Sequence, residues 1–263
     1  MAAKVHKWYP PLPREHGAWA MLLTPAVVAV AAHGPDPRGL LALLGWICAY
    51  ALRGPVELLR GTGPTGRAGL ARGTRSEAVG WLIVMSLIAV PLVGVTIWQR
   101  PVTAVPLAVA LLMLGAVQWL ANRGQARSVL AGLLSIAGLM AGAPLYYLAA
   151  QGSLGVEGWC VTLACFAFFG GSVFRVKSVA RERHSASFRR LSVALHVGAV
   201  LAALAAVLWL GAPPLLPVAL IPPAYWAVRC ARTQGPPNLG KVGMAEIWLT
   251  LAFAGLLVAA MLI

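Results

Sequence analysis

Acidic residues are scarce in this chain. Among 263 residues there is one aspartate, Asp36, and Asp and Glu together number 7 against 21 Lys and Arg. Charged residues make up only 11%, where a soluble domain carries about a quarter. No polar stretch is long enough to bury a core of its own, which excludes a separate soluble domain. Cysteine is sparse too. Cys48, Cys160, Cys165 and Cys230 form no CxxC pair and lie in or beside apolar segments, so buried thiols are expected, not a disulfide or a metal site. HExxH, the P-loop and spaced Cys/His clusters are all missing, which argues against zinc chemistry and nucleotide hydrolysis. The start, Met1 to Gly17, lacks a continuous apolar run before a small-residue cleavage site, and no removable signal peptide is expected.

What is abundant is apolar surface. Hydrophobic residues reach 60% and the mean hydropathy is +0.80. Nine apolar segments recur, over approximately 17–33, 39–59, 76–98, 102–121, 128–150, 156–176, 191–210, 213–229 and 243–263. Each can reach across a hydrocarbon core about 30 Å thick, and a spanning segment must be helical to satisfy its backbone in lipid. The expected fold class is therefore all-α. Residues 1–263 are expected to form one polytopic transmembrane domain of nine helices.

The formal net charge of +14 would point to nucleic acid in a soluble protein. Here the cations sort by loop. With the N-terminus inside, every Lys and Arg except Arg38 and Arg100 falls on the cytoplasmic side, as short cytoplasmic loops require. The expectation is a multi-pass protein of a bacterial plasma membrane, its N-terminus cytoplasmic and its C-terminus outside. Membrane lipids are its expected partners, and nucleic acid is not one.

Two cytoplasmic regions are long and strongly basic: Leu52 to Glu77, after the second segment, and Phe174 to Arg190, after the sixth. They lie four helices apart, which predicts two four-helix halves plus a final helix, each half offering one polar loop to a shared mouth. Arg53 sits about 9 Å below the end of its segment. It either snorkels or faces a polar cavity. Glu57, four residues on, pairs with it if the helix survives Gly54-Pro55. Arg60 completes the first group. In the second region Arg175, Lys177, Ser178, Arg181 and Glu182 stand at helical spacings. Stacked cations of this kind serve either as a topology signal or as a seat for an anion, which arginine binds in a bidentate way. Both readings stay open. Arg14 and His16, with Lys241 and Glu246 at the last helix, are candidates for the rim of the same mouth. Glu246 lies about one turn inside apolar sequence, and Lys241 or a cytoplasmic arginine is its expected partner. His196 reads as a hydrogen-bonded core histidine.

This layout resembles the UbiA superfamily of intramembrane prenyltransferases, which have nine helices, an inside N-terminus and functional loops after helices two and six. The wording "REHGAW", "FRVKSVARER" and "LGKVGMAE" resembles the YwiC-like family of bacterial membrane proteins. The UbiA resemblance implies a transferase acting on a polyprenyl diphosphate held through magnesium by two Asp-rich motifs. In this chain Arg53 and Gly54 stand in place of the Asn-Asp pair, and Glu57, Ser178 and Glu182 are the nearest matches to the remaining acidic positions. Two isolated carboxylates amid many cations suit Mg²⁺ poorly, so no cofactor is expected. The expected function is binding or transfer of an isoprenoid or other anionic-headed lipid at a cytoplasmic-side cavity, with Glu57 and Glu182 as candidate catalytic groups. The alternative is a non-catalytic protein that binds quinone, haem or lipid, or assists a respiratory complex. An anion transporter ranks third, because the charges gather toward one face.

Overall fold

The computed structural model describes residues 11–13, 16–61, 75–232 and 238–263. Arg14 lies outside the described residues, as does the side chain of His16. The described chain is helical, and no strand occurs among these residues.

The first helix, α1, is His16–His33. Asp36 then caps α2, Pro37–Ala51, its carboxylate accepting from the backbone N–H of Arg38 at 2.9 Å and of Gly39 at 3.0 Å. Proline at the first helical position forfeits a donor that had no partner there. Pro55 cannot donate to the Ala51 carbonyl, and the helix breaks at Leu52. It resumes at once as α3, Arg53–Arg60. Next come α4, Arg75–Gln99, a 3-10 turn at Pro101–Thr103, and α5, Ala104–Asn122. A second break, just ahead of Pro144, divides α6, Val129–Leu139, from α7, Gly142–Gln151. The chain ends with α8, Gly155–Ala180, α9, Ala186–Leu210, α10, Leu216–Arg232, and α11, Leu239–Leu262.

Counting α2 with α3 and α6 with α7, seven helices among the described residues are long and apolar enough to cross a membrane. The helices α1, at 18 residues, and α10, at 17, are shorter. All nine apolar segments thus appear as helix, seven of them with full spanning length. The boundaries of the second basic region need correction. α8 runs on to Ala180 and α9 begins at Ala186, so most of Phe174–Arg190 is helix and the connection is residues 181–185. Polarity alone does not end a helix: α8 closes at Arg181, whose N–H donates to the Lys177 carbonyl at 3.0 Å. Ser185 then opens α9 as its N-cap, accepting from the N–H of Phe188 at 3.3 Å.

The helix α8 lies at the centre and packs against α1, α6, α7, α9, α10 and α11. On its far side α2 packs against α4 and α7, while α5 packs against α6. Val28 and Ala29 of α1, Tyr146 and Tyr147 of α7, Val161, Cys165 and Phe168 of α8, and Phe253 and Leu257 of α11 make the main core. Phe168 stacks flat on Phe253, their ring centroids 4.2 Å apart. The outward faces of α4, α5 and α9 carry large apolar side chains such as Leu87, Leu111 and Leu208. A bundle with this much apolar outer surface is built to sit in lipid.

Candidate functional site

The centre of the candidate site is Arg175, on α8 about 8 Å short of that helix's end. Val161, Cys165, Phe168, Arg175 and Ser178 form one buried stripe along α8, spaced by three, four or seven residues. Packing this stripe against α9, α10 and α11 carries the guanidinium into the interior, where Arg175 is 0% exposed.

All three of its nitrogens are satisfied. Nε donates to Oε1 of Glu246 at 3.1 Å, and Nη2 donates to Oε2 at 2.7 Å. This is the parallel two-bond fork that arginine makes with carboxylates. Nη1 donates to Nε2 of His196 at 2.6 Å. A guanidinium has no lone pair to offer, so Nε2 of His196 must be the acceptor. The ring proton then sits on Nδ1, which donates to the Ser192 carbonyl at 2.6 Å. The arginine also lies over the Phe168 ring, 5.4 Å from its centroid, within cation–π range. Gly171, one turn before Arg175, makes room for the imidazole: a Cβ there would stand 2.6 Å from Nε2 of His196.

Three helices are therefore joined through one arginine: α8 by Arg175, α9 by His196 and α11 by Glu246. Removing one partner of a buried pair costs about 3–5 kcal/mol, yet replacing the whole pair with apolar groups is often neutral or stabilising. Stability alone does not account for such a cluster inside an apolar bundle, where ionisable residues mark functional sites by default. The side chain of Glu246 is 19% exposed while that of Arg175 is sealed at 0%. Approach to the arginine therefore runs past the glutamate.

The other basic region holds a second pair. Nε of Arg53 donates to Oε1 of Glu57 at 2.7 Å, so the helical register persists across Pro55. These side chains are 33% and 10% exposed. The segment 11–13 passes against Gly54, which lies between Arg53 and Glu57 in sequence. The Pro11 carbonyl rests where a side chain on Gly54 would be, and the Pro13 carbonyl accepts from Nε1 of Trp19 at 2.9 Å.

The remaining expected residues are spread around this end of the bundle. Arg60 is exposed at the end of α3. Nζ of Lys177 donates to the Arg127 carbonyl at 2.8 Å, tying α8 to the α5–α6 connection. The hydroxyl of Ser178 is turned inward, donating to the Arg175 carbonyl at 2.7 Å, and so does not face a ligand. Arg181 and Glu182 are exposed in the 181–185 turn, and Lys241 is exposed in the first turn of α11. The structure thus brings Arg175 to Glu246 and Arg53 to Glu57, while Glu182 stands apart from both pairs. Among the described residues, no group of three His, Cys, Asp or Glu side chains is placed to hold a metal ion.

The family model for the YwiC-like protein matches residues 12–147, from the Pro13 strap through the Arg53–Glu57 pair to most of α7. The chain belongs to the YwiC-like family. A curated relative from Bacillus subtilis (strain 168), described as "Uncharacterized protein YwiC", is 27% identical over 187 residues, covering 71% of this chain and 74% of the relative. No solved structure matches. In this YwiC-like chain the Arg175–His196–Glu246 cluster lies beyond the stretch that the family model matches.

Sequence reasoning placed a cytoplasmic arginine among the possible partners of Glu246, and Arg175 is that arginine. It missed Gly171, and it missed that the partner of His196 is a guanidinium. The available signal was the α8 stripe, which puts Gly171 and Arg175 on the face of Cys165 and Phe168.

Proposed function

We propose that this YwiC-like protein binds a lipid with a phosphate head at the basic, cytoplasmic end of its bundle, with the apolar chain lying against the helices. The frame for that reading is the UbiA-like arrangement: nine membrane-crossing helices, a cytoplasmic N-terminus and an external C-terminus in a bacterial plasma membrane. Isoprenoid phosphates and glycerophospholipids share the required chemistry.

The observation that carries the reading is the pairing of carboxylates and cations. Glu57 and Glu246 are each bonded to an arginine, while Arg60, Arg181, Arg183 and Arg190 remain exposed at the same end. That end therefore offers a positive field to an anionic head and commits its inward carboxylates elsewhere. No metal is assigned to the site, because guanidinium groups supply the positive charge that magnesium would otherwise bring.

The test uses purified protein in phosphatidylcholine nanodiscs titrated with a polyprenyl phosphate or with phosphatidic acid. Each cation near an anionic surface strengthens binding about fivefold. The exposed triple variant Arg60→Gln, Arg181→Gln, Arg183→Gln should therefore bind about a hundredfold more weakly at low salt. Equal affinity for the variant and the parent overturns the reading.

A further inference from the structure

We propose that Arg175 is a deep seat for phosphate and that Glu246 is its resident counter-ion, displaced when a phosphate head enters. This rests on the lipid-binding reading and names the residue pair through which the head is held.

The geometry gives four reasons. First, the fork of Arg175 presents two parallel N–H groups, at 3.1 and 2.7 Å from two oxygens of one planar group. Two phosphate oxygens fit the same fork. Second, the fork is pre-oriented without help from Glu246. His196 accepts a hydrogen bond from Nη1 and is itself fixed by the Ser192 carbonyl, while the Phe168 ring supports one face. The arginine thus needs no reorganisation to exchange one anion for another. Third, the pair is asymmetric in access. The guanidinium is sealed, whereas the carboxylate is 19% exposed. An anion that reaches the pair through its exposed side therefore meets Glu246 before Arg175.

Fourth, a displaced Glu246 has somewhere to go. α8, α10 and α11 pack against one another, and their ends carry exposed Arg181, Arg229, Arg232 and Lys241. α10 packs against both α8, which carries Arg175, and α11, which carries Glu246. Exchange therefore trades one carboxylate–guanidinium pair for a phosphate–guanidinium pair, with the carboxylate moving toward the rim. No covalent bond is made or broken, and charge is conserved.

This arrangement makes a prediction opposite in sign to a structural role. Removing the charge of Glu246 removes the competitor, so Glu246→Gln should bind phosphatidic acid or polyprenyl phosphate in phosphatidylcholine nanodiscs about tenfold more tightly than the parent. Arg175→Gln added to that variant should erase the gain. Glu246→Asp, whose shorter carboxylate withdraws from the fork, keeps the pair partly in place and should give an intermediate gain of about threefold. It serves as the reporter if the Gln variant does not fold. A Gln variant with unchanged melting temperature and no gain, or an Asp variant with no gain, overturns the exchange. The exposed triple variant of the preceding test separates the two proposals. If it binds weakly while Glu246 variants show no gain, the exchange fails and the lipid reading stands. If Glu246→Gln binds inorganic phosphate as tightly as the lipids, the seat stands and the lipid reading is overturned.

Discussion

Gly171→Ala isolates the packing that holds the arginine cluster, because the three atoms nearest the new methyl group all belong to the His196 ring. An ideal Cβ at Gly171 would lie 2.6 Å from Nε2, 3.1 Å from Cε1 and 3.2 Å from Cδ2 of His196. Restoring ordinary contact requires the imidazole to retreat by roughly 0.8 Å. The bond from Nη1 of Arg175 is 2.6 Å long, and such a retreat stretches it to the limit of a hydrogen bond. Losing a hydrogen bond to a charged group costs about 1.5–3 kcal/mol. Replacing a mid-helix glycine returns about 0.5–1 kcal/mol. The net expectation is a loss of about 1–2 kcal/mol, or about 2–8 °C in melting temperature for a chain of this size. Tryptophan fluorescence during heating in detergent reads this directly. Gly198→Ala is the internal control: it lies on α9 with His196 but has nothing within 4 Å of its ideal Cβ. It should be neutral or slightly stabilising. Adding His196→Ala to Gly171→Ala removes the obstructing ring, so the alanine at 171 should cost much less in that background. A Gly171→Ala protein as stable as the Gly198→Ala control would refute the account of the imidazole notch.

Three further outcomes test other parts of the structure. Arg175→Gln should be strongly destabilising, by about 3–5 kcal/mol, because it strands the Glu246 carboxylate. The double variant with Glu246→Gln should recover part of that loss, and a double no more stable than the single counts against a charge origin. Gly54→Ala puts a methyl group where the Pro11 carbonyl lies, so the 11–13 strap must lift; limited proteolysis should then cut ahead of Trp19 faster, and an unchanged cleavage rate argues against the strap. Tyr147→Phe removes the hydroxyl that donates to Oε1 of Glu157 at 2.8 Å. It should cost about 1 kcal/mol, and a melting temperature equal to the parent's would show that Glu157 finds another donor.

How far the chain could be read in advance depends on whether a contact is local. Apolar run length is a local property, and the helices, seven of them of spanning length among the described residues, follow from it. The Arg53–Glu57 pair was legible for the same reason, since four residues on one helix fix its geometry. Arg175 and Glu246 are 71 residues apart, and periodicity assigns each to a face without naming what that face meets. The misreading of Phe174–Arg190 as a loop came from letting charge decide where a helix ends. Had the face been followed instead, Arg175 would have fallen ten residues after Cys165 and seven after Phe168 on one stripe. That stripe also holds Val161, and Cys165 and Phe168 are at most 1% exposed. A cation continuing a sealed apolar stripe cannot be a loop residue that water neutralises. It must carry its own anion inward, and in an apolar helix the eligible carboxylates are few. Glu57 has a local arginine and Glu157 sits in the first turn of α8, the end far from Arg175. Glu246 is the intramembrane carboxylate that this reasoning leaves. Periodicity joined to the scarcity of acidic residues therefore points to the pair that neither signal names by itself.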